Sequence, residues 1–196
     1  KDKPVPRSYH RKSQLNSRYI FENFIEGKSN QFAKAAAMSV SETPGQTPYN
    51  PLLIYSKPGL GKTHLLQAIG NKIIRQNPNM RVVYLTSEKF MLDFISSIQK
   101  NHSTDFISHY RNVDMLLLDD AQFFQSKEQT QEQFFHLFND LFQKGKQIVL
   151  TTDRHPNELR GLKERLVSRF QSGLIVDIQP PDLETRIAIL MKKGED

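Results

Sequence analysis

Apolar residues follow two alternating patterns along the chain: short continuous runs, and longer stretches in which they recur every three or four positions. Runs of this length predict buried strands, and the helical spacing predicts amphipathic helices. The predicted strands are Leu52–Tyr55, Arg81–Thr86, Val113–Asp120, Gln147–Asp153 and Leu174–Ile178. Because strands and helices alternate, we predict an α/β fold with a parallel sheet that helices cover on both faces.

Polar caps and prolines mark the ends of several predicted helices. Ser29 or Asn30 can cap the first helix, and Asn77–Pro78 ends the second, which begins near Lys62. Later helices are predicted at Lys127–Lys144, in a short stretch that contains Arg165 and Arg169, and after Pro180–Pro181–Asp182.

The stretch between the second and third predicted strands has room for two helices. Ser87 is expected to cap the first of them, which carries Phe90, Phe94 and Ile98 on one face. A shorter helix is predicted from Thr104 to Arg111. We therefore predict a two-helix insertion at this point of the chain.

The net charge of +6 is concentrated at the beginning of the chain. Residues 1–14 contain five basic residues and one acidic residue, a net charge of +4, which leaves +2 for the other 182 residues. A basic tail can contact nucleic acid through phosphates, but a stretch rich in proline, serine and lysine is more typical of a solvated linker. We interpret residues 1–14 as a basic linker, so any contact of the folded part with DNA must be local.

The absence of cysteine limits the chemistry of the chain. It excludes disulfides, thiolate zinc sites and cysteine nucleophiles. The sequence also contains no apolar stretch long enough to span a bilayer. These features fit a cytoplasmic protein, and we expect that location.

The stretch Ser56–Thr63 connects the first predicted strand to a helix through a glycine-rich loop. A strand, a glycine-rich loop and the start of a helix form the context that a P-loop requires. Gly59 and Gly61 allow the tight turn in which successive backbone N–H groups point at phosphates, and the N-terminus of the helix favours negative charge. A loop that merely joins strand to helix is the alternative, which this context disfavours.

The side chains of the loop match the same chemistry. Lys62 can reach the β- and γ-phosphates of a nucleotide, and the Thr63 hydroxyl can ligate Mg²⁺. Ser56 occupies the position of the first motif glycine, where we expect a distortion of the loop rather than a loss of binding. The predicted nucleotide contacts are Ser56, Gly59, Leu60, Gly61, Lys62, Thr63 and His64.

The third predicted strand ends in two carboxylates, Asp119 and Asp120. Apolar residues that run into an Asp-Asp pair form a Walker B pattern, which is weak alone but strong after a P-loop. We expect Asp119 to hold Mg²⁺ and Asp120 to orient or polarise the attacking water. The fourth strand also has a polar tip, where Asp153 could sense the γ-phosphate, with Thr152 the less favoured choice.

Several blocks of the sequence, in order, resemble the AAA+ domain of the DnaA family of bacterial chromosomal replication initiators. The resemblance extends from about Leu15 to Asp196. Its blocks are GLGKTHLLQAIGN (59–71), VDMLLLDDAQFF (113–124), LTTDRHPNEL (150–159), ERLVSRF (164–170) and PPDLETRIAILMKK (180–193). It implies a P-loop NTPase fold of the AAA+ type.

The resemblance implies a function and assigns roles to residues. Its members bind ATP or ADP with Mg²⁺, hydrolyse ATP slowly as a switch, and assemble head-to-tail on ATP into filaments that melt the origin. Asp153 matches the sensor 1 position and Arg169 the arginine finger, with Arg165 one turn before it. The segment Tyr19–Asn30 resembles the part that packs against adenine.

The resemblance also implies the domain organisation and the path of DNA. Residues 15–180 correspond to the nucleotide-binding core, and residues 181–196 to the start of a truncated helical lid. Single-stranded DNA is expected to contact Ile95 on the insertion and Lys127 after the Walker B strand. Gln129 replaces a second basic residue of the family, so one phosphate contact is expected to be lost.

Two other functions remain open at this level. A related AAA+ helicase loader, or a regulator of the initiator, would share the P-loop and Walker B motifs but act mainly through protein contacts. The replicative helicase and such regulators are also possible partners of an initiator. If the Ser56 substitution leaves the pocket empty, the chain would be a scaffold that does not depend on nucleotide.

Overall fold

The computed structural model describes residues 14–194 except 101–105, 107 and 109. Five parallel strands form one sheet. They are β1 (Leu52–Tyr55), β2 (Val82–Thr86), β3 (Met115–Asp119), β4 (Gln147–Thr152) and β5 (Leu174–Asp177). The five strands predicted from apolar runs are confirmed, with ends that shift by at most two residues.

The order of strands in the sheet is β2-β3-β4-β1-β5. The strand before the P-loop therefore lies inside the sheet, between β4 and β5. Parallel strands bring their carboxyl ends to the same edge, so the P-loop, the Asp119–Asp120 pair and the tip of β4 meet there. This edge is where the sequence predicts the nucleotide.

Six described helices with defined bounds connect the strands. They are α1 (Gln31–Glu42), α2 (Lys62–Gln76), α3 (Ser87–Gln99), α4 (Glu128–Gln143), α5 (Glu164–Phe170) and α6 (Leu183–Gly194). Short 3-10 turns lie at Phe21–Asn23, Ala121–Phe124 and Pro156–Glu158. No helix in the described part of the chain combines the length and apolar character that a bilayer crossing needs.

Two hydrophobic cores cover the two faces of the sheet, as predicted. Alternate strand residues point to opposite faces, so Leu52 and Ile54 pack with α1 and α2, whereas Leu53 packs on the other side. The second core is aromatic and is built mainly from α3, α4 and α5. Its fully buried rings are Phe90, Phe106, Phe124, Phe134, Phe138 and Phe170.

The insertion between β2 and β3 departs from the prediction in two details. Thr86, not Ser87, caps α3 through a hydrogen bond from the Lys89 N–H, and the Ser87 hydroxyl donates to the Asp120 carbonyl instead. Ile98 is 45% exposed, because the buried face of α3 continues through Ser97. A second helical segment is present and reaches Arg111, but its predicted start at Thr104 lies outside the described residues.

The base of α6 rests on the segment that precedes α1. A Cβ atom on Gly27 would lie 2.3 Å from the Thr185 hydroxyl oxygen, so only glycine fits there. The Gln179 N–H donates to the Ser29 carbonyl at 3.0 Å. Two separate contacts thus join the start of the last helix to residues 27–29.

Candidate nucleotide-binding site

The loop between β1 and α2 has the backbone that a phosphate cradle needs. Gly59 and Gly61 have φ angles of +82° and +98°, a region that L-residues with side chains rarely adopt. A Cβ atom on Gly61 would lie 2.8 Å from the Phe24 ring, whereas one on Gly59 would meet nothing within 4 Å. The first turn of α2 follows directly, so its free N–H groups and its dipole face the same space.

Lys62 is a buried cation at the centre of this loop, with 7% of its surface exposed. Its Nζ donates to the Ser56 carbonyl at 2.8 Å and to the Lys57 carbonyl at 3.3 Å. Burial lowers the pKa of Lys62, and the nearby carboxylates of Asp120, Asp119 and Asp153 oppose that shift. The ammonium is therefore held in the loop beside carboxylates.

Ser56 has a backbone conformation that is open to residues other than glycine. Among the described residues other than glycine, only Asp120 and Ser126 have left-handed φ angles. Ser56, at the first motif position, therefore does not have a backbone conformation that requires glycine. The Ser56 side chain is buried; its hydroxyl donates to the Lys57 carbonyl and lies 3.4 Å from Lys62 Nζ. Ser56 thus supports Lys62 from behind and does not line the cavity described below.

Three hydroxyl groups converge on the carboxylate of Asp119, which is 2% exposed. Oδ2 accepts from the Thr63 hydroxyl at 2.8 Å and from the Tyr84 hydroxyl at 3.0 Å. The Thr151 hydroxyl donates to Oδ1. Burial, together with the Asp119 charge, raises the pKa of Tyr84 well above its usual range, so the phenol stays a donor. The end of β3 is therefore tied to α2, β2 and β4.

Asp120 has a different environment from its neighbour. Its backbone is left-handed, with φ of 56°, and its N–H donates to the Thr151 hydroxyl at 2.9 Å. The Gln122 amide donates to its carboxylate at 2.9 Å. Asp120 lies on the cavity wall whereas Asp119 lies behind it. The two acids are thus positioned for different tasks.

A cavity of about 660 Å³ opens at this edge of the sheet. The size is typical of sites for small molecules and cofactors. Glycine backbone, Lys62, Thr63 and acidic groups form one end, and aromatic and apolar side chains the other. The residues on its wall include Asn16, Tyr19, Asn23, Phe24, Ile25, Asn30, Gly59, Leu60, Gly61, Lys62, Thr63, His64, Asp120, Gln122, Asp153, Ile178, Ile189, Lys192 and Lys193.

His64 connects the P-loop helix to the aromatic end of the cavity. Its ring centre lies 5.0 Å from that of Tyr19 and 5.3 Å from that of Phe24. Its Nε2 is 2.8 Å from the Ile20 carbonyl, and donates to it in the tautomer protonated at that nitrogen. Burial lowers the pKa of His64, so the neutral ring is favoured near pH 7. The ring fixes the segment predicted to cover adenine.

The residues predicted to respond to the γ-phosphate lie in two different places, one on the cavity wall and two away from it. Asp153 lines the cavity and pairs with Arg154 at 2.7 Å. Arg165 and Arg169 lie on α5 and do not line the cavity.

The two predicted DNA contacts lie on the surface and outside the cavity. Ile95 is 43% exposed on α3, beside the exposed side chains of Leu92 and Ile98. Lys127 is exposed at the N-cap of α4 and makes no salt bridge with the residues that the structure describes. The alternative reading of Ile95 as a core residue is wrong.

Sequence reasoning missed several residues around Asp119 and Asp120. Tyr84 looked like an ordinary strand residue, and Thr151 was passed over for Thr152 at the tip of β4. Gln122 contacts Asp120 from two positions further along the chain. The one available signal was polar residues within buried strands, since buried polar groups need hydrogen-bond partners.

Comparison with known proteins gives a consistent result. The family model for the bacterial DnaA ATPase domain matches residues 15–177. The chromosomal replication initiator protein DnaA of Lacticaseibacillus paracasei is 58% identical over 188 residues, which cover 96% of this chain and 42% of that protein. The chain thus spans about two fifths of the length of the curated relatives it matches.

Solved structures agree with this match. Domain III of the Thermotoga maritima replication initiation protein DnaA has a TM-score of 0.91 and 48% identity, with 93% of this chain and 76% of that chain covered. Replication initiator DnaA bound to AMPPCP and single-stranded DNA has a TM-score of 0.87 and 42% identity, with 93% of this chain and 56% of that chain covered. The DnaC helicase loader has a TM-score of 0.71 and 18% identity, with 84% of this chain and 100% of that chain covered. This likeness shows a shared fold alone.

Proposed function

This chain belongs to the bacterial DnaA ATPase domain family, and we propose that it binds ATP or ADP with Mg²⁺ as the switch of a chromosomal replication initiator. The observation that supports this most directly is the cavity with Lys62 and Thr63 at one end and Tyr19, Phe24 and His64 at the other. The first end has the positive charge and the helix N-terminus that bind phosphates, and the aromatic second end suits an adenine base. The protein would act in the cytoplasm, where the bacterial chromosome lies.

Phosphate binding in this proposal relies on the loop and on Lys62. The N–H groups that follow Gly59 and Gly61 donate to phosphate oxygens, and Lys62 exchanges a carbonyl partner for the β- and γ-phosphates. Leu60 and His64 also line the cavity, and Ser56 holds Lys62 in place. The loop therefore binds charge with groups that are already oriented.

The residues present fit Mg²⁺. The Thr63 hydroxyl and the Asp119 carboxylate lie 2.8 Å apart beside the phosphate end, and hard oxygen ligands of this type suit the ion. Mg²⁺ usually retains several waters and takes only one or two protein carboxylates together with phosphates. When bound, the ion would neutralise charge that develops on the phosphate oxygens.

Hydrolysis in this proposal depends on Asp120 and Asp153, which line the cavity near Lys62. Asp120, held by Gln122, orients the attacking water, and Asp153 reports the γ-phosphate from the tip of β4. Arg169, the proposed finger, would act on the cavity of a neighbouring copy. A single copy is then a slow ATPase, and head-to-tail assembly depends on ATP.

We extend the proposal to single-stranded DNA through Ile95 and Lys127. The exposed apolar side chain suits the sugar or base stack, and the exposed lysine suits a phosphate. A structure of DnaA with single-stranded DNA is among the similar structures, at 42% identity. In this scheme residues 15–180 are the nucleotide-binding core, residues 181–196 belong to a helical lid, and residues 1–14 are a basic linker. The replicative helicase or regulators would be further partners.

The alternative functions are disfavoured by specific observations. The family model matches 15–177, whereas the loader DnaC shares only the fold at 18% identity. A scaffold that does not need nucleotide would have no use for a buried Lys62 beside three carboxylates. We therefore favour the initiator.

The test is a calorimetric titration with ATP and ADP, with Mg²⁺ and with EDTA, for the unmodified chain and Lys62→Ala. The variant should lose nucleotide binding, because one charge-assisted contact contributes about 1.5–3 kcal/mol. Lys57→Ala is the control, since this exposed lysine lies in the same loop but not on the cavity wall. Retained affinity in a folded Lys62→Ala variant would refute the P-loop assignment.

A further inference from the structure

The Tyr84 hydroxyl donates to Oδ2 of Asp119, yet Tyr84 does not line the cavity. It lies on β2, the neighbour of β3, two residues before the Thr86–Asp119 register pair. Building on the proposed function, we propose that Tyr84 is a positioning residue: its hydroxyl fixes the orientation of the Asp119 carboxylate and so sets the contribution of Mg²⁺ to nucleotide binding.

The three hydroxyls around Asp119 do not have equal roles in this arrangement. Thr151 donates to Oδ1, the other oxygen of the carboxylate. Thr63 donates to Oδ2, but its own oxygen is the proposed metal ligand. Tyr84 is therefore the donor to Oδ2 that has no second task at the metal site. Groups that hold a metal ligand from behind in this way control metal affinity, because they fix ligand geometry.

Tyr84→Phe tests the proposal, because it keeps the ring and removes only the hydroxyl. ATP and ADP are titrated into the full chain by calorimetry, once with Mg²⁺ and once with EDTA. We expect the gain in affinity from Mg²⁺ to fall about tenfold or more, which is the usual effect of losing a group that supports a metal ligand. Affinity in EDTA should stay within about twofold of the parent.

Three outcomes would overturn the proposal. An unchanged Mg²⁺ effect would show that Asp119 is oriented without Tyr84. An equal loss in Mg²⁺ and in EDTA would indicate general damage to the pocket. A parent chain that binds no nucleotide in either buffer would refute the proposed function itself, and this inference with it. Thermal unfolding of each variant separates these results from loss of the fold.

A control variant completes the test. Tyr110→Phe also removes one phenol hydroxyl, which lies 3.5 Å from Oδ2 of Asp93 in the insertion, outside the cavity. This control should leave both affinities unchanged, and a loss of the Mg²⁺ effect equal to that of Tyr84→Phe would overturn the proposal.

Discussion

The guanidinium of Arg165 pairs with the carboxylate of Glu132 on α4. It also lies over the Phe135 ring, 4.6 Å from the ring centre. Arg169, one turn later on α5, makes no salt bridge or side-chain hydrogen bond with the described residues. The spacing of the two arginines places them on one side of a helix. Arg165 is bound within its own chain, whereas the side chain of Arg169 is available to contact another chain.

Arg169→Ala should therefore leave ATP binding and folding intact and impair assembly on ATP. An arginine supplied by a neighbour contributes about 10³–10⁵ in rate in other phosphoryl-transfer enzymes, so stimulated hydrolysis should fall steeply too. Light scattering of the longer initiator protein with ATP and with ADP measures assembly. Normal ATP-dependent assembly would contradict the finger role.

Arg165→Ala is the companion variant for the same experiment. It removes the contacts with Glu132 and Phe135, which are partly exposed and contribute on the order of 1 kcal/mol. We expect a small decrease in the unfolding temperature, which Arg169→Ala should not show. Identical behaviour of the two variants in both assays would remove the distinction between them.

Asp119 and Asp120 should respond differently to substitution by asparagine. Asp120→Asn should retain ATP affinity and lose hydrolysis, because Asp119 still provides the metal ligand. Asp119→Asn should weaken binding in Mg²⁺, because a neutral amide replaces the buried carboxylate that accepts three hydroxyl hydrogen bonds. Calorimetry and single-turnover hydrolysis measure the two effects, and the same defect in both variants would refute this division of roles.

Ile95→Ala and Lys127→Ala should each weaken binding of single-stranded DNA in the ATP state. For Lys127→Ala the salt dependence should also decrease, by about 0.7 in the slope of log affinity against log salt for one phosphate contact. Lys144→Ala is the control, because it lies at the other end of α4 and pairs with Asp140. Fluorescence anisotropy on a protein that includes the complete lid provides the measurement; parental binding by both variants would place the DNA elsewhere.

His64 should make the fold sensitive to mild acid. Burial lowers its pKa below the ordinary 6.5, so below about pH 6.5 the unfolded chain takes up a proton that the folded chain does not. Stability should therefore fall as the pH decreases from 6.5 towards the pKa of His64 in the folded chain. Above pH 6.5 this histidine should have no effect on stability. In thermal unfolding at pH 7.5 and 5.0, His64→Gln should lose less stability between the two values; an equal loss would contradict this assignment.

The acidic residues with lowered pKa respond in a more acidic range. Hydrogen bonds and nearby cations lower the pKa of Glu22 from an ordinary value of 4.5, and those of Asp114 and Asp182 from 3.8. Their contributions to stability are present above these ordinary values and are lost as the pH falls below them. The comparison between pH 7.5 and 5.0 lies above that range.

The strands were predictable because they are buried on both faces and therefore read as apolar runs. The loop was predictable because glycines at fixed spacing reflect backbone angles, as at Gly59 and Gly61. The cap of α3 was not predictable, because Thr and Ser are both good capping residues. The choice of Thr86 depends on a tertiary contact, in which the Ser87 hydroxyl donates to the Asp120 carbonyl. The backbone at Ser56 was not predictable, because the motif does not record which of its glycines needs a left-handed φ.

The surroundings of Asp119 could not be read from the sequence for a different reason. Tyr84 and Thr151 come from two separate strands and meet at Asp119 only in the folded sheet. No spacing along the chain relates them. The cavity wall formed by Tyr19 and Phe24 was anticipated only through the family resemblance, because isolated aromatic residues before a first helix carry no pattern of their own.

The junction of Gly27 with Thr185 affects how motion can pass through the molecule. Because there is no space between these residues, α6 cannot turn about its first residues without moving residues 27–29 or breaking the Gln179–Ser29 hydrogen bond. The same segment continues from Phe24 and Ile25 on the cavity wall. Any displacement of α6 about these residues would therefore have to be accommodated by residues 27–29, which continue directly from the part of the chain that forms the aromatic cavity wall.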